Sequence, residues 1–468
     1  MKLALAISSL LTLILLVGAA VQENYFTEWR KIQREYKTIL LAKARDEGEK
    51  RIARRYSVEL RQIVVPDLDT ADRCVSCHVG TDDPRMTGVA EPFACHPGPF
   101  LDDHDVDKFG CTICHGGQGR ATTKEEAHAN RREVFWERPI LSPPLIQSSC
   151  GICHDPDHLK NNHAPLLAQG AELFREQGCL GCHKLGERGG TLGPPLETIG
   201  DKGRHSFPFA RIEGERTVAN WHREHLKEPQ KVVPESKMPK PDLTEEKIEA
   251  LVTYLLSLRK MNLTEPFVPR DKYEERYLVW HPKPLTGIEL YRQFCKSCHG
   301  EATETVMHPS LGRMMPAIRN PAFLEVVSDD FLFNNIHDGR PGTEMSAWGQ
   351  PAGSLSDEEI RRIVDYLLEA RGEKKKTTFV LSKSANPENG RKLFEANCTS
   401  CHTISGGGGN APWLGSPGFQ ETYTDPPIGH TIKYGREGTL MAPYGKEAGG
   451  ELTDQEISDL VVFIRTLK

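Results

Sequence analysis

Cys74-Val75-Ser76-Cys77-His78 is the first of six copies of the pattern Cys-x-x-Cys-His in this chain of 468 residues. The other copies run from Cys111 to His115, Cys150 to His154, Cys179 to His183, Cys295 to His299 and Cys398 to His402. Together they use twelve of the 13 cysteines. We therefore expect the fold to be organised around these six positions.

The pattern is typical of a covalent haem site. Two thiols at this spacing reach the two vinyl groups of one haem, and the histidine that follows is placed to bind the iron as its proximal ligand. The predicted attachment residues are Cys74, Cys77, Cys111, Cys114, Cys150, Cys153, Cys179, Cys182, Cys295, Cys298, Cys398 and Cys401. The predicted proximal ligands are His78, His115, His154, His183, His299 and His402. The sequence thus predicts six covalently bound haem c groups.

Two other uses of these cysteines fit less well. Cysteines two residues apart would close strained disulfide rings, and disulfide scaffolds are short chains that are dense in cysteine. Zinc knuckles need two Cys-x-x-Cys pairs close together and no histidine after each pair. Cys95 is left over: it precedes His96, but Pro92 stands where a full motif needs cysteine. A seventh haem with one thioether bond and a plain thiol both remain open for it.

Length and composition limit the possible functions. The length allows three or four domains, and the hydrophobic share of 38% is low unless haem supplies apolar mass to each core. The net charge of −6 and the lack of a basic, aromatic-rich stripe disfavour nucleic-acid binding. We therefore expect no nucleic-acid partner.

The N-terminus predicts export and anchoring. An apolar run over 3–21 can just span a hydrocarbon core of about 30 Å, and it is longer than the apolar part of most signal peptides. We predict an uncleaved anchor over 1–21, with cleavage near Gly18-Ala19-Ala20 as the alternative. A charged helix over 22–68 should continue from it, with Tyr25, Phe26 and Trp29 at the membrane interface. The predicted location is the bacterial inner membrane, with the haem domains in the periplasm or cell exterior.

An internal repeat fills the C-terminal part of the chain. Before three motifs stands a segment that runs from glycine to an aromatic residue: Gly170 to Phe174, Gly287 to Tyr291 and Gly390 to Phe394. After each of these motifs we predict a closing helix, and these helices end at Leu256, Leu368 and Ile464. Ser356 with Glu359 and Thr453 with Glu456 predict capping boxes, whereas Thr244 must cap without the reciprocal bond. The chain therefore holds three copies of one small helical domain.

These copies resemble the single-haem cytochrome c fold, in which an N-terminal and a C-terminal helix cross and clamp the haem. The resemblance covers 164–262, 283–372 and 385–468, and the proline-rich or charged stretches 263–282 and 373–384 predict linkers. Residues 69–163 hold three motifs in too little chain for separate helical domains, so we expect an irregular three-haem segment. The predicted fold class is mainly α: a membrane helix, this irregular segment and three tandem cytochrome c domains.

Three methionines are predicted as distal iron ligands in the repeats. Met345 and Met441 share the pattern Gly-Thr-x-Met-x-x-aromatic-Gly, and Met238 lies in a loop that resembles the Met-Pro loop of the family. All three lie between a haem motif and its closing helix, where the family delivers its methionine. Met307, Met314 and Met315 lack this frame and are weaker candidates.

Histidines are the predicted distal ligands in the three-haem segment. Met86 is the only methionine of this segment, whereas histidines are plentiful there. We predict His96, His104 and His128 as the distal ligands, with His163 in reserve. Seven further histidines are expected to be ordinary surface or loop residues: His205, His222, His225, His281, His308, His337 and His430.

The whole chain also resembles the multihaem cytochrome c subunits that accompany bacterial membrane quinol-oxidising cytochrome b complexes. The resemblance rests on the anchor with Glu28-Trp29-Arg30-Lys31, on residues 93–104 and on residues 109–119. It implies that membrane cytochrome b subunits oxidise quinol and that this chain passes the electrons to a soluble or terminal acceptor.

An enzyme is the alternative. A multihaem reductase or peroxidase needs one haem with an open iron position, and nothing in the sequence identifies such a haem. We therefore name no catalytic residue. An electron-transfer subunit of a membrane oxidoreductase complex is favoured over a stand-alone enzyme.

Overall fold

The computed structural model describes residues 2–129, 137–160, 163–272, 284–341, 343–372, 379–405 and 411–467. About 52% of it is helical and 5% is strand, which confirms the predicted mainly α fold class. The chain divides into two compact units. Unit 1 comprises Met1–Ala164, Lys202–Phe207 and Lys260–Tyr277, and unit 2 comprises Pro165–Asp201, Pro208–Arg259 and Leu278–Lys468.

Unit 1 begins with long helices and continues in short ones. Its α-helices are Lys2–Tyr25, Glu28–Lys43, Glu47–Arg55, Phe100–Asp103, Val106–Phe109, Thr112–His115, Lys124–Ala127 and Gln147–Cys153. Strands Ile63–Val65 and Thr70–Asp72 pair antiparallel, with Ile63 opposite Asp72. The region that carries the first three haem motifs is irregular, as its crowded motifs predict.

Helix Lys2–Tyr25 has 24 residues, none of them buried. By length and composition it could cross a membrane, since it spans about 36 Å. The predicted single helix over 22–68 is divided instead, because Thr27 and Asp46 adopt extended conformations and begin new helices. Tyr25 and Phe26 are exposed, but Trp29 is only 6% exposed, so it packs inside unit 1 and does not join them at a membrane interface.

Part of the predicted linker over 263–282 belongs to unit 1. Leu263 and Phe267 pack on the small core of Ile63, Val65 and Leu68. This proline-rich stretch is therefore not a free linker at its start, because its apolar side chains are packed in a core. His281 lies outside the described residues.

Unit 2 contains the three repeats. Its α-helices are Pro165–Glu176, Val218–Lys227, Pro229–Val232, Glu245–Ser257, Gly287–Phe294, Lys296–His299, Pro321–Leu324, Asp329–His337, Asp357–Leu368, Pro387–Asn397, Thr399–His402, Pro417–Thr422, Asp425–Tyr434 and Asp454–Ile464. Two short antiparallel pairs complete it, Lys184–Leu185 with Arg188–Gly189 and Val306–His308 with Arg313–Met315.

Glycine marks the point at which the first helix of each repeat crosses the closing helix. A Cβ atom on Gly390 would lie 1.9 Å from the Asp459 carbonyl oxygen, so no larger residue fits without moving the backbone. Gly170 and Gly287 show the same approach, each with a hypothetical Cβ 2.0 Å from a backbone oxygen. One turn later an aromatic pair packs across the crossing: Phe174 with Tyr254, Tyr291 with Tyr366, and Phe394 with Phe463, at centroid distances of 5.2, 5.4 and 5.3 Å.

The closing helices are capped as predicted. Both capping boxes are formed, from Ser356 with Glu359 and from Thr453 with Glu456. Thr244 accepts a bond from the Lys247 N–H without a reciprocal bond. Each cap fixes where a closing helix begins, and hence where the loop before it must end.

Candidate haem centres

Three histidine pairs are formed in unit 1. The paired rings are His78 with His128, His115 with His96, and His154 with His104, each with ring centroids 6.1 Å apart. Two imidazoles that bind one metal ion at about 2 Å per nitrogen place their ring centres about 6 Å apart. Each predicted distal histidine therefore lies opposite a different predicted proximal histidine, at a spacing that fits one iron.

Short helix ends place two of the distal histidines. His128 follows helix Lys124–Ala127, whose first N–H donates to the Glu28 carboxylate at 2.9 Å. His104 follows helix Phe100–Asp103, and its Nδ1 lies 3.1 Å from the Phe100 carbonyl oxygen. Since a carbonyl only accepts, Nδ1 must donate, and this tautomer leaves the other nitrogen free to bind iron.

Buried Asp72 ties the first two haem motifs together. Its carboxylate accepts from the Cys111 N–H at 2.6 Å, the Thr112 N–H at 2.9 Å and the Thr112 hydroxyl at 2.7 Å. Asp72 stands two residues before Cys74, and the Cys74 thiol contacts the Cys111 thiol. That contact, followed by burial, raises the pKa of Cys111. The third motif joins through the Ser149 hydroxyl, which donates to the Cys114 carbonyl at 2.6 Å.

The predicted proximal histidines of the two units have different hydrogen-bond or ion-pair partners at Nδ1. In unit 1, His78 Nδ1 lies 3.2 Å from a Glu91 carboxylate oxygen, and His154 Nδ1 lies 3.2 Å from Asp271 Oδ1. In unit 2, the Nδ1 atoms of the three proximal histidines face the carbonyl oxygens of proline residues. These contacts are His183 to Pro194 at 2.8 Å, His299 to Pro316 at 3.4 Å and His402 to Pro412 at 3.1 Å.

These contacts suit iron binding in both units. Nδ1 of His154, His183, His299 and His402 donates to its oxygen partner, so the Nε2 lone pair of each can face a metal ion, whereas His78 has only the ion-pair contact with Glu91. Burial is the main cause that lowers the pKa of His183, His299 and His402. A lowered pKa keeps these imidazoles neutral, which is the form that binds metal.

The loops of Met345 and Met441 have the same hydrogen bonds. The Arg436 N–H donates to the Met441 carbonyl at 2.8 Å, the Met441 N–H donates to Thr439 Oγ1 at 3.2 Å, and the Thr439 hydroxyl donates to the Arg436 carbonyl at 2.8 Å. The Met345 loop repeats these bonds at 2.7, 3.2 and 2.8 Å. The repeated sequence pattern thus corresponds to one repeated loop geometry, although Gly342 within it lies outside the described residues.

Met238 is held by a related but different frame. Its N–H donates to Ser236 Oγ at 3.2 Å, two residues earlier, as in the other two loops. Its carbonyl accepts from Gln230 Nε2 at 2.6 Å and from the Ser310 hydroxyl at 3.0 Å. The three methionines are all half-buried. In the first repeat, side chains therefore donate to the methionine carbonyl, whereas in the other two repeats the backbone N–H of an arginine does so.

Two equivalent arginines in the second and third repeats show whether the residues there fit a haem. Arg340 and Arg436 each have a buried Nε–H without a hydrogen-bond partner among the described residues. The charge of Arg340 acts on His299 and that of Arg436 on His402, so each lies near a proximal histidine. A buried unpaired donor is costly, and the propionate carboxylates of a haem would pair with it. These residues fit haem, which when bound supplies a one-electron iron couple.

Four of the seven histidines expected at the surface or in loops differ from that expectation. His222, His308 and His430 are buried, at 4%, 4% and 9% exposure. His225 is half-buried, and its ring stacks on Trp221 at 4.7 Å. All four lie on helices or on a strand of unit 2. Their neighbours in the sequence are largely polar, and for that reason the sequence did not indicate their burial.

His225 is a functional candidate that the sequence interpretation missed. Its Nδ1 is buried without a hydrogen-bond partner among the described residues. Burial, followed by the charge of His183, lowers the pKa of His225 to about 4. His225 is therefore a second candidate, besides Met238, for the position opposite His183. One indication of its burial was present in the sequence: His225 follows Trp221 by four residues, which places both on the same face of a helix.

The cysteine and methionines left out of the predicted ligand set lie in a core or on a hairpin. Cys95 is half-buried and packs on the core of Tyr36, Val79, Met86 and Phe93. Met86 is fully buried in that core. Met307 pairs with Met314 across the hairpin and is 45% exposed. These surroundings favour packing roles and give no reason to add these residues to the ligands.

Family models match the part of the chain that carries the last three haem motifs. A model of the cytochrome c family matches residues 167–259 and 387–468, and a model of subunit III of cbb3-type cytochrome c oxidase matches residues 282–367. The chain is 33% identical to cytochrome c oxidase subunit 2 of Alkalihalophilus pseudofirmus over 20% of this chain and 27% of that protein. It is 23% identical to the cbb3-type cytochrome c oxidase subunit CcoP of an Azospirillum species over 39% of this chain and 61% of that protein.

The chain thus spans 27% and 61% of these two curated relatives. Among solved structures, a chain of the reducing HAO-like protein complex of Kuenenia stuttgartiensis is 19% identical, with a TM-score of 0.26, over 40% of this chain and 99% of that chain.

Crossed helices, haem motifs and family matches together define a protein with cytochrome c domains and covalently bound haem c. These findings support a multihaem c-type cytochrome.

Proposed function

We propose that this chain is a six-haem electron-transfer subunit of a membrane respiratory complex. Each Cys-x-x-Cys-His motif would hold one haem c, with cytochrome c domains over 164–262, 283–372 and 385–468. The observation that most supports this is the set of three histidine pairs with ring centroids 6.1 Å apart. Such pairs suit bis-histidine irons, and the methionine loops of unit 2 suit histidine–methionine irons.

The proposed ligand sets give the electrons a direction. A methionine ligand raises the potential of a haem relative to a second histidine. The carboxylates beside His78 and His154 make those imidazoles stronger electron donors and lower the potential further, whereas the proline carbonyls of unit 2 are neutral. Electrons would therefore enter at unit 1 and leave from unit 2.

The proposed donor is a membrane cytochrome b that oxidises quinol. Unit 1 contains the apolar helix Lys2–Tyr25, which supports contact with a membrane partner on the low-potential side. The matched relatives are cytochrome c oxidase subunits, and the family matches lie in unit 2. These relations support a membrane redox complex whose acceptor, periplasmic or terminal, receives electrons from unit 2.

Two measurements on the full chain test this function. The intact mass should exceed that of the polypeptide by six haems, and the reduced protein should bind no carbon monoxide because every iron has two protein ligands. Fewer than six haem masses would contradict the haem count. Carbon monoxide binding at one iron would favour the alternative, a multihaem reductase or peroxidase with an open iron position.

A further inference from the structure

The fourth and fifth haem motifs interlock inside unit 2. Gly181 is the residue before Cys182 in one motif, and Ser297 is the residue before Cys298 in the other. A Cβ atom on Gly181 would lie 2.3 Å from Ser297 Oγ and 2.8 Å from the Phe294 carbonyl oxygen. A side chain at position 181 would therefore push the two motifs apart.

A second glycine shows the same close approach. Gly178 has φ +72° and a hypothetical Cβ 2.9 Å from both the Arg292 carbonyl oxygen and the Ser297 backbone N. The sequence Gly178 to Gly181 is thus shaped to receive the start of the next repeat. Both contacts involve backbone atoms, which cannot rotate away as a side chain can.

A bidentate ion pair holds the same interface. The Arg188 guanidinium donates to the two Glu359 carboxylate oxygens at 2.9 and 2.8 Å and to the Ser354 carbonyl at 3.2 Å. It also lies 5.0 Å from the Phe294 ring centroid. Burial opposes ionisation of Glu359, but Arg188 helps to keep its pKa below the ordinary value. Arg188 and Glu359 belong to the first and second repeats, so their pairing fixes the two repeats to each other.

The interlock brings two attachment cysteines together. The Cys182 and Cys298 side chains lie within hydrogen-bonding reach of each other. Once bound as thioethers, these two sulfurs would each carry one edge of a haem. In the described part of the third repeat the equivalent residue, Ser400, is exposed.

We propose that Gly181 is a positioning residue that holds the haems bound at Cys182 and Cys298 as one electronically coupled pair. With haem at both motifs, Gly181 would keep the two groups close enough for one electron to pass between them, so that one haem is oxidised as the other is reduced, with no bond made and no proton moved. This inference rests on the proposed function, since it requires haem at both motifs. The first and second repeats would then be fixed to each other within unit 2, and would not move as separately tethered domains.

Gly181→Ser in the full haem-bearing chain is the direct test. Serine already stands at this motif position in three other copies, at Ser76, Ser297 and Ser400, so it is compatible with haem attachment. Two coupled haems give a derivative-shaped Soret circular dichroism signal. We expect the difference spectrum of wild type minus Gly181→Ser to show that shape, because the pair has separated.

Three further variants complete the test. Arg188→Ala should produce the same difference spectrum by an independent route. Ser297→Gly in the Gly181→Ser background removes the closest clashing atom and should restore part of the signal. Ser400→Gly makes the reciprocal exchange in the third repeat and should give a flat difference.

The outcomes separate this inference from the proposed function. A flat difference for Gly181→Ser, with six haem masses retained, would overturn the coupled pair and leave the six-haem function intact. Fewer than six haem masses in the wild type would contradict the function itself.

Discussion

The two units hold their predicted iron ligands in different ways. In unit 2, crossed helices with a glycine at each crossing form a core of their own, and a loop then presents one methionine. In unit 1, most helices around the three haem motifs are short, although helix Glu28–Lys43 contacts the first motif through Gln33, and the histidine pairs join distant parts of the chain. We expect haem ligation to add to a helical core in each repeat of unit 2 and to matter more in unit 1, where the hydrophobic cores are smaller.

The same comparison extends to the chemistry of the irons. In the proposed ligand sets, unit 1 pairs histidine with histidine and sets carboxylates behind two proximal ligands, and both features favour low potentials. Unit 2 offers methionine and neutral carbonyls, which favour higher ones. Distal ligand and second partner therefore act in the same direction within each unit.

The largest expected effect comes from removing one haem in each unit. Cys111→Ala/Cys114→Ala should lose its own haem and also disturb both neighbours, because Asp72 and Ser149 link the second motif to the first and third. Cys398→Ala/Cys401→Ala should lose one haem only. Intact mass and low-spin electron paramagnetic resonance signals measure the difference. Equal losses in the two variants would contradict the contrast between the units.

A bulky residue at a helix crossing should unfold one repeat of unit 2. Gly390→Val places a side chain against the Asp459 carbonyl and should cost about 3 kcal/mol of stability. Lys392→Val is the control, since Lys392 is exposed on the same helix and receives the same side chain without a clash at the crossing. Thermal melting followed in the Soret band measures both variants. A loss of equal size in the two would mean that the crossing does not hold the repeat together.

Exchanging distal ligands should move single haems from one potential group to the other. Met441→His should lower the potential of one unit 2 haem, and His128→Met should raise that of one unit 1 haem, within the roughly 0.8 V over which axial ligands act. Spectropotentiometry of the full chain shows which component moves. Unchanged titration curves would remove these residues from the ligand set.

The smallest effect should follow from a change behind a proximal ligand. Asp271→Asn leaves a partner for His154 Nδ1 but removes its negative charge, so one low-potential component should rise by less than in a ligand exchange. Asp338→Asn is the matched control, because Asp338 lies 2.6 Å from His337, which is not a predicted ligand. A shift in the control, or none for Asp271→Asn, would refute the role given to the carboxylate.

Local patterns in the sequence were enough to predict much of unit 2. The capping boxes and the glycine–aromatic spacing each depend on residues a few positions apart, so they can be recognised without tertiary structure. The contact of His154 with Asp271 joins residues 117 positions apart, and no local pattern predicts it. The same holds for buried Trp29 and for the contact of Gly181 with Ser297, where side chains meet because of packing between distant segments.

A potentiometric titration of the purified full chain, followed in the visible spectrum, tests the central contrast most directly. Two groups of potentials are predicted, and only the higher group should carry the absorption band of methionine bound to ferric iron. A single low-potential cluster without that band would contradict the assignment of different ligands to the two units.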